Sequence, residues 1–383
     1  MPVEVHGLHE FVPPDFSRGD QRGPCPGLNA LANHGYINRK GVTSLAEVVP
    51  AINQVFGMGL DLGFLLATIG VVFTGNPLSL NPGFSIGDSS SASQNLLGNL
   101  FGLLGKPRGL SGSHNIIEAD SSNTRNDLYL TGDASSLDMD VFRGFVDMLP
   151  EGSNLDIDAM AQRAENRFHE SIASNPNFYY GPITGSMLRN AACAFTTRFF
   201  SNHSAENPGG FLDKKIAQSF LGVTEQNGVM TYQRGWERIP ENWYRRPVDY
   251  SVLEMNLDLV GMMVKHPAIA SIGGNMGKVN SFAAVDLSDI SGGLLNTAML
   301  LEDNNLLCFV FELVKTLAPN SLSSVFKLID LPLQVLTSAI NLRLLDLACP
   351  AFADLKKDGS GLDKIVENID DFLHTLPGAR GLN

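Results

Sequence analysis

Helix-period patterning along most of the 383 residues predicts an all-α, mainly helical fold in one domain spanning residues 1–383. Two further observations point the same way. Strand-like alternation is scarce, and neither an internal repeat nor a linker long enough to divide the chain is present. A chain of this length can bury a substantial core around a cofactor.

The first helix is expected to open at Cys25. Pro24 forces the cysteine towards extended backbone and Pro26 suits a first helical turn, so Pro24-Cys25-Pro26 places the thiol where the helix begins. A second start, Ser44-Leu45-Ala46-Glu47, has capping-box spacing and is expected to continue as one buried helix through the apolar run Met58–Thr74. That run is broken by Asp61, carries Gly59, Gly63 and Gly70, and is short for a membrane span. Short Gly/Ser/Asn segments follow around 75–125. Ile157, Met160, Ala161, Ala164, Phe168 and Ile172 then recur at helical intervals, with Asp156 near the start and Pro176 beyond the end. Similar patterns occupy about 137–149, 211–222, 249–265, 296–318, 321–341 and 361–374. Tyr232 to Pro247 and Gly273-Gly274-Asn275-Met276-Gly277 read as loop crossings.

With 44% hydrophobic and 17% charged residues the chain reads as a soluble protein lining an apolar cavity as well as a core. A net charge of -13 argues against nucleic acid or an anionic membrane as partner, since both require a basic footprint. A small organic molecule is the easier fit. Met1-Pro2-Val3-Glu4-Val5-His6 has no basic n-region or apolar h-region, which suits an intracellular protein or the mature form of a secreted one. The sequon Asn202-His203-Ser204 is too common by chance to decide between them. Gly277-Lys278 lacks the first glycine and the Ser/Thr of a phosphate loop, and no zinc or serine-hydrolase motif is present. Four cysteines, Cys25, Cys193, Cys308 and Cys349, exclude a disulfide-dense scaffold.

At a helix start the N–H groups of Gly27 and Leu28 and the positive end of the macrodipole stabilise a sulfur anion. A thiolate so placed is an electron-rich axial ligand for haem iron, whereas the bland reading is a buried free thiol in a turn. The stretch from Asp20 through Pro24-Cys25-Pro26-Gly27-Leu28-Asn29-Ala30-Leu31-Ala32-Asn33-His34-Gly35-Tyr36-Ile37 resembles the proximal signature of the fungal haem-thiolate peroxidases, the family of chloroperoxidase and the unspecific peroxygenases. The resemblance implies haem b with Cys25 as the fifth ligand of its iron. His34 is the alternative ligand should the thiolate be wrong.

Ser113-His114-Asn115-Ile116-Ile117-Glu118-Ala119-Asp120-Ser121-Ser122-Asn123-Thr124-Arg125 resembles the second hallmark of that family. By resemblance the Glu118 carboxylate, the Ala119 carbonyl and Ser122 bind Mg2+ beside a haem propionate, an oxygen-only set that suits this hard cation. Taken alone, the same residues read as a solvated turn or helix cap. Ala119 stands where glycine or histidine is usual. Together with Phe84-Ser85-Ile86-Gly87 and the two C-terminal cysteines it resembles the long-chain branch, whose C-terminal disulfide would correspond to Cys308 and Cys349. Two buried thiols are the other reading.

Peroxide activation needs a base to move a proton between the two oxygens and a positive charge to stabilise the transition state. The long branch uses an arginine and, seven residues later on one helix face, a glutamate. Arg189 matches the arginine, but Thr196 occupies the glutamate's place, and Thr cannot serve as a base near neutral pH. Glu170 and Glu206 are the nearest glutamates. Cys193 and Phe195, Phe199 and Phe200 read as core, with one of the aromatics a candidate to touch haem or substrate.

The resemblance covers about residues 9–350 and implies a haem-thiolate peroxygenase or peroxidase that uses hydrogen peroxide to oxygenate an organic, secondary-metabolite substrate. Thr196 motivates a second expectation, a haem-dependent isomerase, cyclase or dehydratase without net oxidation. A haem-binding protein without catalysis is the third.

Overall fold

The computed structural model describes residues 1–76, 79–93, 107–148, 150, 152–285, 305 and 362–379. Ten helices lie among them: α1 Pro26–Asn33, α2 Leu45–Phe56, α3 Leu60–Thr74, the single turn α4 Leu128–Thr131, α5 Met139–Val146, α6 Ile157–Ser174, α7 Asn190–Phe200, α8 Lys214–Phe220, α9 Val252–Lys265 and α10 Leu362–Thr375. Sheet is confined to seven short strands: β1 Val42–Ser44, β2 Gly83–Ser85, β3 Tyr179–Tyr180, β4 Val223–Gln226, β5 Val229–Tyr232, β6 Gly273–Asn275 and β7 Phe282–Ala284. They pair antiparallel as β1-β2, β3-β6-β7 and β4-β5. The fold is mainly helical, as the periodicity predicts. The helices expected at 296–318 and 321–341, and the pair Cys308 and Cys349, lie outside the described residues.

Three local expectations are corrected. The helix expected from 44 to 74 is two helices, because Gly57 caps α2 in the left-handed region at φ 69° and donates to the carbonyls of Asn53 and Ile52. Met58 and Gly59 then bridge to Tyr250 before α3 begins, so the apolar run crosses a helix boundary. The capping box at Ser44 does not form. Ser44 leaves β1 without a side-chain cap, and Glu47 instead accepts from the Asn38 N–H and the Thr43 hydroxyl at 2.8 and 2.7 Å. A complete box opens α9, where Ser251 and Glu254 cap one another. Finally, Gly273–Asn275 is a buried strand rather than a crossing, and glycine is required at 273 because a Cβ would collide with the Ala283 carbonyl oxygen.

Helix α7 packs on α6, and α9 covers both. A second cluster of aromatics supports α1: Phe200 stacks on Phe220 at 4.3 Å, Phe56 and Trp243 close around them, and the Trp243 indole donates to the Phe200 carbonyl. Gly27 sits directly on this cluster, since a Cβ there would lie 3.5 Å from the Phe56 ring. The helix that carries Cys25 therefore starts on a rigid aromatic floor. A polar cavity of about 470 Å³ between β1, β2 and the start of α2 is lined by Ser44 and Glu47 but by none of the candidate haem, magnesium or peroxide residues. Among the described residues no helix is long and apolar enough to cross a membrane.

Candidate active site

Cys25 is the N-cap of α1, in extended backbone with Pro26 at the first helical position. It is partly buried against the core. Burial pushes its thiol up, while the N–H of Leu28, the charge of Arg125 and the N–H of Gly27 favour the thiolate. A bound metal ion would remove the remaining cost of the anion, so the site suits a ligated sulfur.

The segment before Cys25 is tied down by two amides. Asn29 accepts from the Gly23 N–H at 3.0 Å and donates to the Gly23 carbonyl and to Glu237 Oε1, each at 2.9 Å. Asn33 donates to the Gly235 and Glu237 carbonyls and accepts from Arg22 Nε. The loop at 235–239 thus forms the wall beside Cys25. Glu237 is 1% exposed, and its Oε1 lies 3.9 Å from Arg125 Nη2. Burial pushes this carboxyl up against the opposing charge of Arg125. Its Oε2 is buried and has no hydrogen-bond partner among the described residues. Sequence reasoning missed Glu237, because the isolated glutamate in a loop carries no motif.

His34, the alternative ligand, is fully engaged elsewhere. Its Nδ1 lies 2.7 Å from the His9 carbonyl and its Nε2 accepts from the Ile239 N–H at 3.1 Å. That pattern fixes a neutral tautomer with the proton on Nδ1. No nitrogen of His34 is left for a metal.

The second motif forms a tight loop between Ser113 and Asp127, with Asn115 and Ser121 in the left-handed region at φ 61° and 60°. His114 Nδ1 meets Glu118 Oε2 at 2.5 Å, and its Nε2 faces Asp120 Oδ1 at 3.8 Å. The Tyr129 ring stands edge-on to His114. Asp120 is 1% exposed; burial, with the charges of Asp127 and Glu118, pushes its carboxyl well above the usual range. Three carboxyl groups are thus crowded together, two of them, Asp120 and Asp127, shut off from solvent. Among the described residues nothing donates to Glu118 Oε1, the Ala119 carbonyl or the Ser122 hydroxyl. One free carboxylate oxygen, one carbonyl and one hydroxyl are a donor set suited to Mg2+, which takes its remaining ligands from water or another anion. No cluster of three or more His, Cys, Asp and Glu able to hold a metal occurs among the described residues.

Arg189 and Thr196 do not share an environment. Residues Pro182–Arg189 form wide π-type turns that lead into α7, and Arg189 is 4% exposed at the junction. Its Nε donates to the Ser121 carbonyl, its Nη1 to Asn190 Oδ1 and its Nη2 to the Ala164 carbonyl. Thr196 is only partly buried, and its hydroxyl donates to the Ala192 carbonyl of its own helix at 2.9 Å. Cys193 is buried and donates to Asn123 Oδ1, a core role as expected. Phe199 and Phe200 are core aromatics.

Residues 9–248 match the family model described as Peroxidase, family 2. The chain is 57% identical over 379 residues to an aromatic peroxidase, fscJ, of Fusarium equiseti, covering 99% of this chain and 85% of that one. It is 40% identical over 358 residues to the dothistromin biosynthesis peroxidase dotB of Dothistroma septosporum, covering 93% of this chain and 84% of the relative. An aromatic peroxygenase of Coprinellus radians is 31% identical over 227 residues, 56% of this chain and 82% of its own. With the family model matched over residues 9–248 and relatives of 57% and 40% identity spanning most of its length, the chain belongs to the family 2 peroxidases, the haem-thiolate peroxidases of fungi.

Proposed function

We propose that this protein is a haem-thiolate peroxygenase or peroxidase that uses hydrogen peroxide to oxygenate a small aromatic secondary metabolite. The observation that carries the reading is Cys25 at the N-cap of α1, with His34 wholly engaged by His9 and Ile239. Haem b held by Cys25 would supply an iron at which peroxide is activated, and a thiolate ligand favours O–O cleavage there. The amides of Gly27 and Leu28 and the guanidinium of Arg125 would moderate the charge on sulfur. Glu118, the Ala119 carbonyl and Ser122 would hold Mg2+ and so neutralise part of the acidic loop. Thr196 would pass a proton only through water, since its hydroxyl is no base. The relatives named as aromatic peroxidase, aromatic peroxygenase and dothistromin biosynthesis peroxidase support the substrate class.

The absorption spectrum of the reduced, carbon monoxide-bound holoprotein tests the ligand. A red-shifted Soret band is expected, and an imidazole-type band would remove Cys25 from the iron. Turnover of an aromatic substrate should also require peroxide. A second reading, a haem-dependent isomerase, cyclase or dehydratase, is favoured by the lack of any carboxylate between Arg189 and Thr196. Product formed equally well without peroxide would establish it.

A further inference from the structure

Three buried arginines reach the same loop from behind. Arg189 Nε donates to the Ser121 carbonyl at 3.0 Å, Arg167 Nε to the Ser122 carbonyl at 2.8 Å, and Arg163 Nη2 to the Asn123 carbonyl at 3.1 Å. Consecutive carbonyls thus rest on consecutive guanidiniums, which are 4%, 4% and 2% exposed. The lower rungs are braced by acids: Arg167 contacts Asp127 and Glu170, and Arg163 contacts Glu170. Asp127 in turn accepts from the Ser121 N–H at 2.8 Å. Arg189 has no ion pair among the described residues, and its guanidinium lies 5.7 Å from the centre of the Tyr180 ring.

Ser122 is the residue fixed most completely by this arrangement. The peptide before it is held by Arg189 through the Ser121 carbonyl, and the peptide after it by Arg167 through its own carbonyl. With both flanking peptide planes fixed, the direction of the Ser122 Cα–Cβ bond is fixed as well. Its hydroxyl is left without a donor among the described residues.

We propose that Arg189, with Arg167 and Arg163, is a positioning residue that aims the Ser122 hydroxyl and the Glu118–Ala119 oxygens at a bound cation, and is not the peroxide-facing arginine that its sequence position suggests. The inference rests on the magnesium reading above. Each of the three nitrogens of this buried guanidinium donates to the protein, to Ser121, Asn190 and Ala164, which anchors it to the loop and to its own helix junction rather than leaving it to swing towards a small oxidant. An arginine is required because a lysine ammonium cannot span three separated acceptors.

The test uses haem-loaded protein and the variants Arg189→Lys and Arg167→Lys. Magnesium affinity is measured by titrating the metal into chelator-treated holoprotein, alongside the KM for hydrogen peroxide. Positioning predicts affinity weakened about 10- to 100-fold in both variants, the usual cost of losing an outer-shell partner, with the peroxide KM within about twofold of wild type. Unchanged magnesium affinity with a peroxide KM raised about tenfold in Arg189→Lys alone would overturn the proposal. Should wild type bind no magnesium, the cation reading fails, and amide exchange of residues 119–125 decides the ladder. Exchange about tenfold faster in the variants supports it, and unchanged exchange refutes it.

Discussion

His34 makes the stability of the fold around α1 sensitive to acid. Its ring is 1% exposed, donates from Nδ1 to the His9 carbonyl and accepts at Nε2 from the Ile239 N–H. Adding a proton would set an N–H against an N–H, and burial accordingly pushes the imidazole down to about 4. In the unfolded chain the same ring titrates near 6.5. As pH falls the unfolded state therefore takes up the proton first, so the contribution is complete at neutral pH and drains away between about 6.5 and 4. The loss amounts to roughly 2 kcal/mol by pH 5 and a little over ~3 kcal/mol below pH 4. Urea unfolding of wild type and His34→Gln from pH 7.5 to 4.5 isolates this residue, because other titrating groups are common to both proteins. Wild type should be the more stable at neutral pH, and the two curves should converge on acidification. Parallel curves would refute the reasoning.

Asn29→Ala removes three hydrogen bonds that hold Gly23 and Glu237 beside Cys25; at about 1 kcal/mol each the loss is roughly 3 kcal/mol, measurable by urea unfolding, with faster release of haem to apomyoglobin. Gly57→Ala places a Cβ at φ 69° and 2.7 Å from Arg246 Cγ. Its expected cost is about 1–2 kcal/mol, and a melting temperature equal to wild type would show that the α2–α3 break does not need glycine. Thr196→Glu should raise the rate of peroxide-dependent turnover if the missing base limits it, by about 10²-fold or more. No gain in a folded, haem-loaded variant would remove position 196 from the proton path.

The place of Cys25 was legible because its determinants are local. Two prolines and a helix start set the place of Cys25 within a few residues, and no distant contact is needed to infer it. Long amphipathic helices such as α6 were equally legible. The break at Gly57 was hidden by the apolar residues on either side of it, Val55 and Phe56 before and Met58 and Leu60 after, whose hydrophobicity outweighs the glycine signal. Ser44 and Glu47 had the spacing of a cap, but Ser44 is pulled into β1 pairing with Gly83, a long-range contact the spacing does not encode. Strands of two to four residues are too short to show a period. The turn Asn227-Gly228 between β4 and β5 carries a recognisable hairpin signal that the helical reading passed over, with φ 51° and 76°. Arg189 illustrates the other limit. Seven-residue spacing to Thr196 suggests one helix face, yet the wide turns before α7 and the loop 68 positions away decide where its guanidinium goes.

The loop that opens at Ser113 is also fastened to the far end of the chain. The Asn115 side-chain amide donates to the Gly378 carbonyl at 2.7 Å across 263 positions. A Cβ on Gly378 would strike the Asn177 carbonyl, and Leu373, Leu376 and Ala379 are buried alongside. Contacts so distant in sequence are slow to close, because the entropy of a long loop is lost before they form. The loop that carries Glu118 therefore depends on a segment 263 positions away, and a chain cut short before Gly378 loses the acceptor of the Asn115 amide.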